Sequence, residues 1–384
     1  MSFFDQILAC YGWEGIALAS VLVLLFGVQL YYYIFSYGRM VHYKNDRREP
    51  IREENPPISI IVPMFTENYA FLEEQLPMIL GQDYPEFELV IVYVGQDNDF
   101  YEDLLQLKRS FPRITATKLH LDLRHPISRK MALNLGIKSA FHNCLIFSSV
   151  DAVPQSNRWL KLMGRGFTRG DIVVGYCGME PFKGFQNRMM RTWRMMDSTN
   201  WIARAVAKRP YRASLHNMGF TKELYFGVKG FNQLGMNIGE DDLFMERIMT
   251  HENVSVVLSP RASLYEKVWG GWKWWFSTLR YFDSAKKFYA QSVKNYLSWE
   301  KGSRSLFFLT VVCALIAMPW EYKIFAATLL LLRLAVVLFE VRRIARRLGE
   351  KHLLATYPIY DLAGLLGDLI LSILLIRKDE RVWR

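Results

Sequence analysis

Pro57-Ile-Ser-Ile-Ile-Val-Pro-Met-Phe-Thr-Glu67 is the stretch that decides the fold. Its centre, Ser59 to Pro63, is short, apolar and β-branched and runs into a turn, which is how a buried strand reads. Working outward, Glu88-Leu-Val-Ile-Val-Tyr-Val94 is a second such run, and Leu145-Ile-Phe-Ser-Ser-Val150 is a third that ends at Asp151. Helical patterns fall between them at about residues 69–81, 100–110 and 128–140. This alternation, sustained over residues 56–250, marks βαβ units and a mostly parallel sheet. Ligands of such sheets bind beyond the carboxyl ends of the strands, so the 63–67 turn and Asp151 are expected at the site.

The polar middle is bracketed by apolar ends, so the near-zero mean hydropathy conceals the architecture. Gly15 to Phe35 is long enough to span a bilayer core of about 30 Å. It is preceded by Asp5 and Glu14 and followed by Arg39, Lys44, Arg47 and Arg48, the charge order of an uncleaved anchor with its C-terminal side in the cytoplasm. Ser305 to Pro319 and Ile324 to Val341 form an expected hairpin, interrupted at Pro319 and Arg333. Leu353 to Ile376, which carries Asp361 and Asp368, reads either as a further span or as an interfacial segment. The expected domains are an anchor at 1–37, a basic linker at 38–55, the catalytic domain at 56–265 and interfacial helices at 266–303. A transmembrane hairpin at 304–342 and a basic, membrane-associated or spanning segment at 343–384 complete the chain.

A net charge of +11 suits partners that carry phosphate, such as anionic lipid or a phosphorylated substrate. No zinc-finger spacing or RNP motif points to nucleic acid. The four cysteines lack CxxC spacing, against a disulfide framework or structural zinc. Two acidic features stand out. Asp151 follows a strand and reads as a metal or phosphate-site ligand, or as a cap or turn residue. Gly239-Glu240-Asp241-Asp242 sets three acids before an apolar helix, either favoured by the helix dipole or gathered for a cation or a proton transfer. Phe185 to Arg209, rich in Met and Arg, reads as a basic helix on anionic lipid or as one packed on the core.

Four motifs in order resemble glycosyltransferase family 2, over roughly residues 56 to 285. They are the 57–67 strand and turn, Arg129-Lys130-Met-Ala-Leu-Asn-Leu-Gly-Ile137, Asn217-Met-Gly-Phe-Thr-Lys222, and Gly239-Glu240-Asp241-Asp242. The resemblance implies a GT-A fold, a Rossmann-like, mostly parallel α/β domain, flanked by transmembrane helices. It implies an inverting sugar transfer from a nucleotide-sugar donor to a lipid-linked or glycan acceptor, on the cytoplasmic face of a bacterial inner membrane, in cell-surface polysaccharide or glycolipid synthesis. Asp241 would be the general base, and Asp242 would steady it or meet the acceptor. Pro63, Glu67, Lys130, Asn134 and Arg280 would lie on the donor, and Asn217, Glu240 and Trp272 on the acceptor side. Asp151 would hold Mn2+ or Mg2+ on the diphosphate.

The chain departs from the family's pattern at three places. Tyr93-Val94-Gly95-Gln96 stands where an Asp-Asp-Gly-Ser usually meets the nucleobase, with Asp97 or Asp99 as displaced substitutes. Ser149 replaces the first acid of Asp-x-Asp. In place of Gln-x-x-Arg-Trp, Ser277 and Tyr281 flank the retained Arg280. A non-catalytic, transferase-like membrane subunit that binds a partner enzyme or acceptor is the alternative reading.

Overall fold

Strand β1 (Ile58–Met64) is buried at all seven positions, as a strand covered on both faces must be. It belongs to a computed structural model that describes residues 3–44, 55–119, 128–233 and 239–364. Ahead of it lies helix α1 (Phe3–Leu30), continued by a wider helical turn through Tyr37 and by α2 (Arg39–His42). After β1 come α3 (Leu76–Leu80), β2 (Phe87–Tyr93), α4 (Asn98–Ser110), β3 (Ile114–Lys118), α5 (Arg129–Ser139) and β4 (Cys144–Phe147). The chain continues through β5 (Ala152–Pro154), α6 (Trp159–Phe167), β6 (Ile172–Val174), β7 (Cys177–Met179), α7 (Phe185–Val206), β8 (Met218–Thr221) and α8 (Lys222–Gly227). Then follow α9 (Leu243–Ile248), β9 (Val254–Val256), β10 (Leu264–Glu266), α10 (Trp272–Ala285), α11 (Gln291–Ala317) and α12 (Trp320–Leu348).

The main sheet has the order β3-β2-β1-β4-β8-β6-β9. β1 runs parallel to β2 and β4, β2 to β3, and β6 to β9; β8 runs antiparallel to both its neighbours. β5, β10 and β7 form a smaller second sheet. One face of the main sheet packs around Leu76, Phe100 and Trp159, and the other around Leu133, Trp201 and Phe244. This mixed α/β architecture with a mostly parallel sheet agrees with the sequence. The third strand ends earlier than its hydrophobic run suggests, at Phe147, and Asp151 stands in the turn between β4 and β5. There the Ala152 amide donates to the Ser149 carbonyl at 3.1 Å.

Helix α7 settles its two readings in favour of packing on the core. Fourteen of its 22 residues are buried. Two of its four arginines turn inward: Arg191 pairs with Glu350 at 2.6 Å and Arg194 with Glu266 at 2.9 Å. Buried guanidinium groups survive only when paired in this way.

Among the described residues, two helical stretches are long and apolar enough to cross a membrane, Gly12–His42 and Trp320–Leu348. α1, α11 and α12 pack on one another through Leu22, Leu25, Phe307, Val311 and Ala326. Arg333, which breaks the apolar run, is buried and donates to Asp361 at 2.5 Å and to Gln29 at 2.9 Å. Gln29 in turn donates to Ser303 at 2.9 Å. The network joins three helices to the chain after α12 and pairs the Arg333 charge within the apolar packing. Asp368 and the residues after 364 lie outside the described residues, so the expected segment to Ile376 is seen only in its first half.

Candidate active site

Two antiparallel pairings gather the site. β4 and β8 run in opposite senses with Phe147 opposite Met218, so the residues just before β8 lie beside those just after β4. His216 Nδ1 thereby stands 3.1 Å from Ser149 Oγ. β5 and β10 pair with Ala152 opposite Glu266, and the Lys267 amide donates to the Asp151 carbonyl at 2.9 Å. Glu266 reaches Arg194 at 2.9 Å and lies 3.8 Å from His216. On the other side Ser128 caps α5, its Oγ accepting from the Met131 amide at 3.3 Å, and this sets Arg129 and Lys130 on the first turn. A crossover helix that follows a parallel strand starts at the carboxyl edge of the sheet, where its N-terminal amides and two cations favour an anion.

The three acids lie within reach of these cations, whose charges act on Glu240. Gly239 has φ +102°, a left-handed conformation that favours glycine, and a Cβ there would come within 2.9 Å of Leu243. The Asp241 carbonyl accepts from the Ala213 amide at 3.0 Å, tying the acidic turn to the segment that carries His216. Asp242 caps α9, accepting from the Leu243 amide at 2.6 Å and from the Tyr289 hydroxyl at 2.9 Å. All three acids are buried. Burial and then the neighbouring Asp241 push Asp242 up to about 6, against the Arg212 charge. Burial pushes Glu240 up to about 7, with Arg129 opposing. Neither carboxylate oxygen of Glu240 has a hydrogen-bond partner among the described residues.

Arg129 is the cation this cluster shares: its charge acts on Glu240, on Glu266, on His216 and on Tyr281. Burial lowers the His216 pKa, with Glu266 opposing. Glu266 itself stays ionised below the usual carboxylate range, because His216, Arg194 and Arg129 together outweigh its burial. Tyr281, where the family has Trp, feels the charges of Asp241 and Glu240. Arg129, His216, Glu266, Arg212 and Tyr289 are not singled out as site residues by sequence reasoning. Only Arg129 carried a local signal, as the neighbour of Lys130.

Lys130 faces Glu240, and burial lowers its pKa. Asn134, one turn further along α5, accepts from Tyr225 at 3.4 Å. Pro63 is buried in β1 opposite Val92, and Arg280 and Trp272 are exposed on α10, the Trp272 ring tilted against Trp275 with centroids 5.3 Å apart. Glu67 is exposed and accepts from the Tyr93 hydroxyl, which holds its carboxyl below the usual range. The Tyr93 hydroxyl also accepts from the Asp97 amide at 3.2 Å and fills the space a Cβ on Gly95 would need. Asp97 caps α4, its Oδ1 accepting from the Asp99 and Phe100 amides. Asn217 corrects the acceptor-side expectation. It is fully buried, donates to the Tyr176 and Ala262 carbonyls at 2.8 and 2.9 Å, and accepts from the Trp159 indole at 2.9 Å. Its amide is committed to joining three elements behind the site.

Among the described residues, no three His, Cys, Asp or Glu side chains come together as a metal cage. A cation that arrives with a diphosphate needs less, since Mg2+ is commonly held by one or two carboxylates plus substrate oxygens. Asp151 fits that partial role. Burial and then Glu266 raise its pKa, a penalty that a cation beside it would remove.

No protein-family model matches the sequence, and no curated protein matches it. Solved structures do. The mannosyltransferase PcManGT from Pyrobaculum calidifontis, solved with GDP-Man and Mn2+, aligns with a TM-score of 0.56 at 18% identity, over 91% of this chain and 99% of its own. TarS from S. aureus aligns with a TM-score of 0.39 at 15% identity, over 75% of this chain and 43% of its own. The first match shows that the chain has the fold of a glycosyltransferase; the second is too distant to carry weight.

Proposed function

We propose that this chain is an inverting, family-2-type glycosyltransferase of GT-A fold that moves a sugar from a nucleotide-sugar donor to a membrane-associated acceptor hydroxyl. The observation that carries the reading is the buried Glu240-Asp241-Asp242 turn at the same sheet edge as Arg129, Lys130 and the α5 N-terminus. An anion-binding edge facing a carboxylate base is what the displacement needs. Arg129 and Lys130 hold the diphosphate, with Arg280 reaching over it from α10. Asp241 takes the proton from the acceptor hydroxyl while that oxygen attacks the anomeric carbon. The bond from that carbon to the diphosphate breaks, the nucleoside diphosphate leaves, and the carbon is inverted. A divalent cation bound with the diphosphate at Asp151 would screen the charge on the leaving group.

The expected domains stand within this reading: α1, α11 and α12 anchor the chain, and the α/β domain faces the cytoplasm of a bacterial inner membrane. Release of nucleotide from a panel of UDP- and GDP-sugars, with Mn2+ or Mg2+, tests it. Release from one donor supports the transferase. Silence with every donor, even with a lipid extract as acceptor source, favours a non-catalytic membrane subunit, the reading that Val94 and Ser149 support where the family has acids.

A further inference from the structure

A cavity of about 460 Å3 lies between α7, α10, α11 and the chain leading to Gly364. Its walls are apolar and mostly aromatic: Trp193, Trp272, Trp275, Phe276, Leu279 and Phe282. Tyr289 and Arg212 line it, and the Tyr289 hydroxyl is the group that binds Asp242. Tyr33, Leu297 and Arg304, on the helices that pack with the apolar bundle, line it as well. The space therefore borders both the bundle and a residue bound to the acids.

Three of the cations on its wall are already paired. Arg212 meets Asp197 at 3.1 Å, Lys286 meets Asp283 at 2.8 Å, and Arg304 meets Glu300 and Asp361 at 3.8 Å each. A glycan chain would leave its hydroxyls facing aromatic carbon, and an anionic occupant would have to break one of these pairs. A hydrocarbon meets neither cost. The volume is about three times the ~150 Å3 cavity that admits benzene, room for a chain of roughly 15 carbons.

We propose that this cavity seats the hydrocarbon chain of a lipid acceptor, whose hydroxyl-bearing head reaches Asp241 past Tyr289 and Arg212. The assignment of the occupant as acceptor rests on the transferase reading above.

The test uses the full chain in phospholipid nanodiscs, photolabelled with a long-chain alcohol that carries a diazirine at the end of its chain. Peptide mapping is expected to find label on Trp193, Leu279 or Phe282, reduced at least 5-fold by excess dodecanol and not by butanol. Label confined to the exposed Leu309 and Leu331 of the bundle, or label that butanol displaces equally, overturns the proposal, whether the space is then filled by a second copy or by this chain's own residues beyond Gly364. Nucleotide release from donor sugars is read in the same preparation. Release without cavity label sinks the cavity assignment alone, and no release from any donor removes the acceptor claim together with the transferase reading.

Discussion

The Tyr289 hydroxyl donates to the Asp242 carboxylate at 2.9 Å, so the chain after α10 is wired to the acidic turn. This bond favours the charged form of Asp242, as does Arg212, and both work against burial. Tyr289→Phe removes the donor and leaves the ring. The Asp242 pKa is then expected to move further above about 6, and turnover to fall roughly 10-fold, the order expected for one hydrogen bond to a charged group. The loss should be greater at pH 6 than at pH 8. A pH–rate profile whose acid limb stays in place contradicts the assignment.

Glu240 makes stability depend on pH in a direction that can be worked out. Its folded-state pKa, about 7, lies above its ordinary value of 4.5, so the folded chain keeps this proton longer than the unfolded chain does. The stability it contributes is complete below about pH 4.5 and is lost as pH rises through about 7, a change on the order of 3 kcal/mol. Glu240→Gln should narrow the gap between unfolding midpoints at pH 5 and pH 8. An unchanged gap in a denaturant titration would remove Glu240 as its source.

Asn217→Ala leaves the Trp159 indole and the Ala262 carbonyl without a partner in the core, while the Tyr176 carbonyl keeps the Leu264 amide. Two such losses, at about 1 kcal/mol or more each, predict destabilisation of at least about 2 kcal/mol. Thermal unfolding checks this. A variant of normal stability with a raised acceptor KM would restore Asn217 to the acceptor side.

Arg129→Ala should raise the donor KM by about 10- to 100-fold, as expected for losing a charge-assisted contact with a diphosphate. Nucleoside diphosphate inhibition should weaken in parallel. Unchanged inhibition would place the diphosphate elsewhere.

Local signals were legible in the sequence. β1 and β2 announce themselves by unbroken β-branched runs, and Gly239-Glu240-Asp241-Asp242 by a charge density that no cap requires. What was hidden depends on register between distant segments. His216 reaches Ser149 only because β8 runs antiparallel to β4, and Glu266 reaches Asp151 only because β10 pairs antiparallel with β5. Asn217 read as a site residue because its motif resembles an acceptor-side segment, but Trp159, 58 positions earlier, claims its oxygen. Arg333 looked like a flaw in a span until Asp361 supplied its partner.

The central claim is that Asp241 is the base of a sugar transfer, and the most direct measurement compares wild type with Asp241→Asn for donor-nucleotide release and for donor binding in one preparation. General-base catalysis by a side chain is worth about 100- to 10,000-fold. Release should therefore fall by at least 100-fold in the variant, while the donor Kd changes by less than about 3-fold. Release that persists at the wild-type rate in Asp241→Asn contradicts the account.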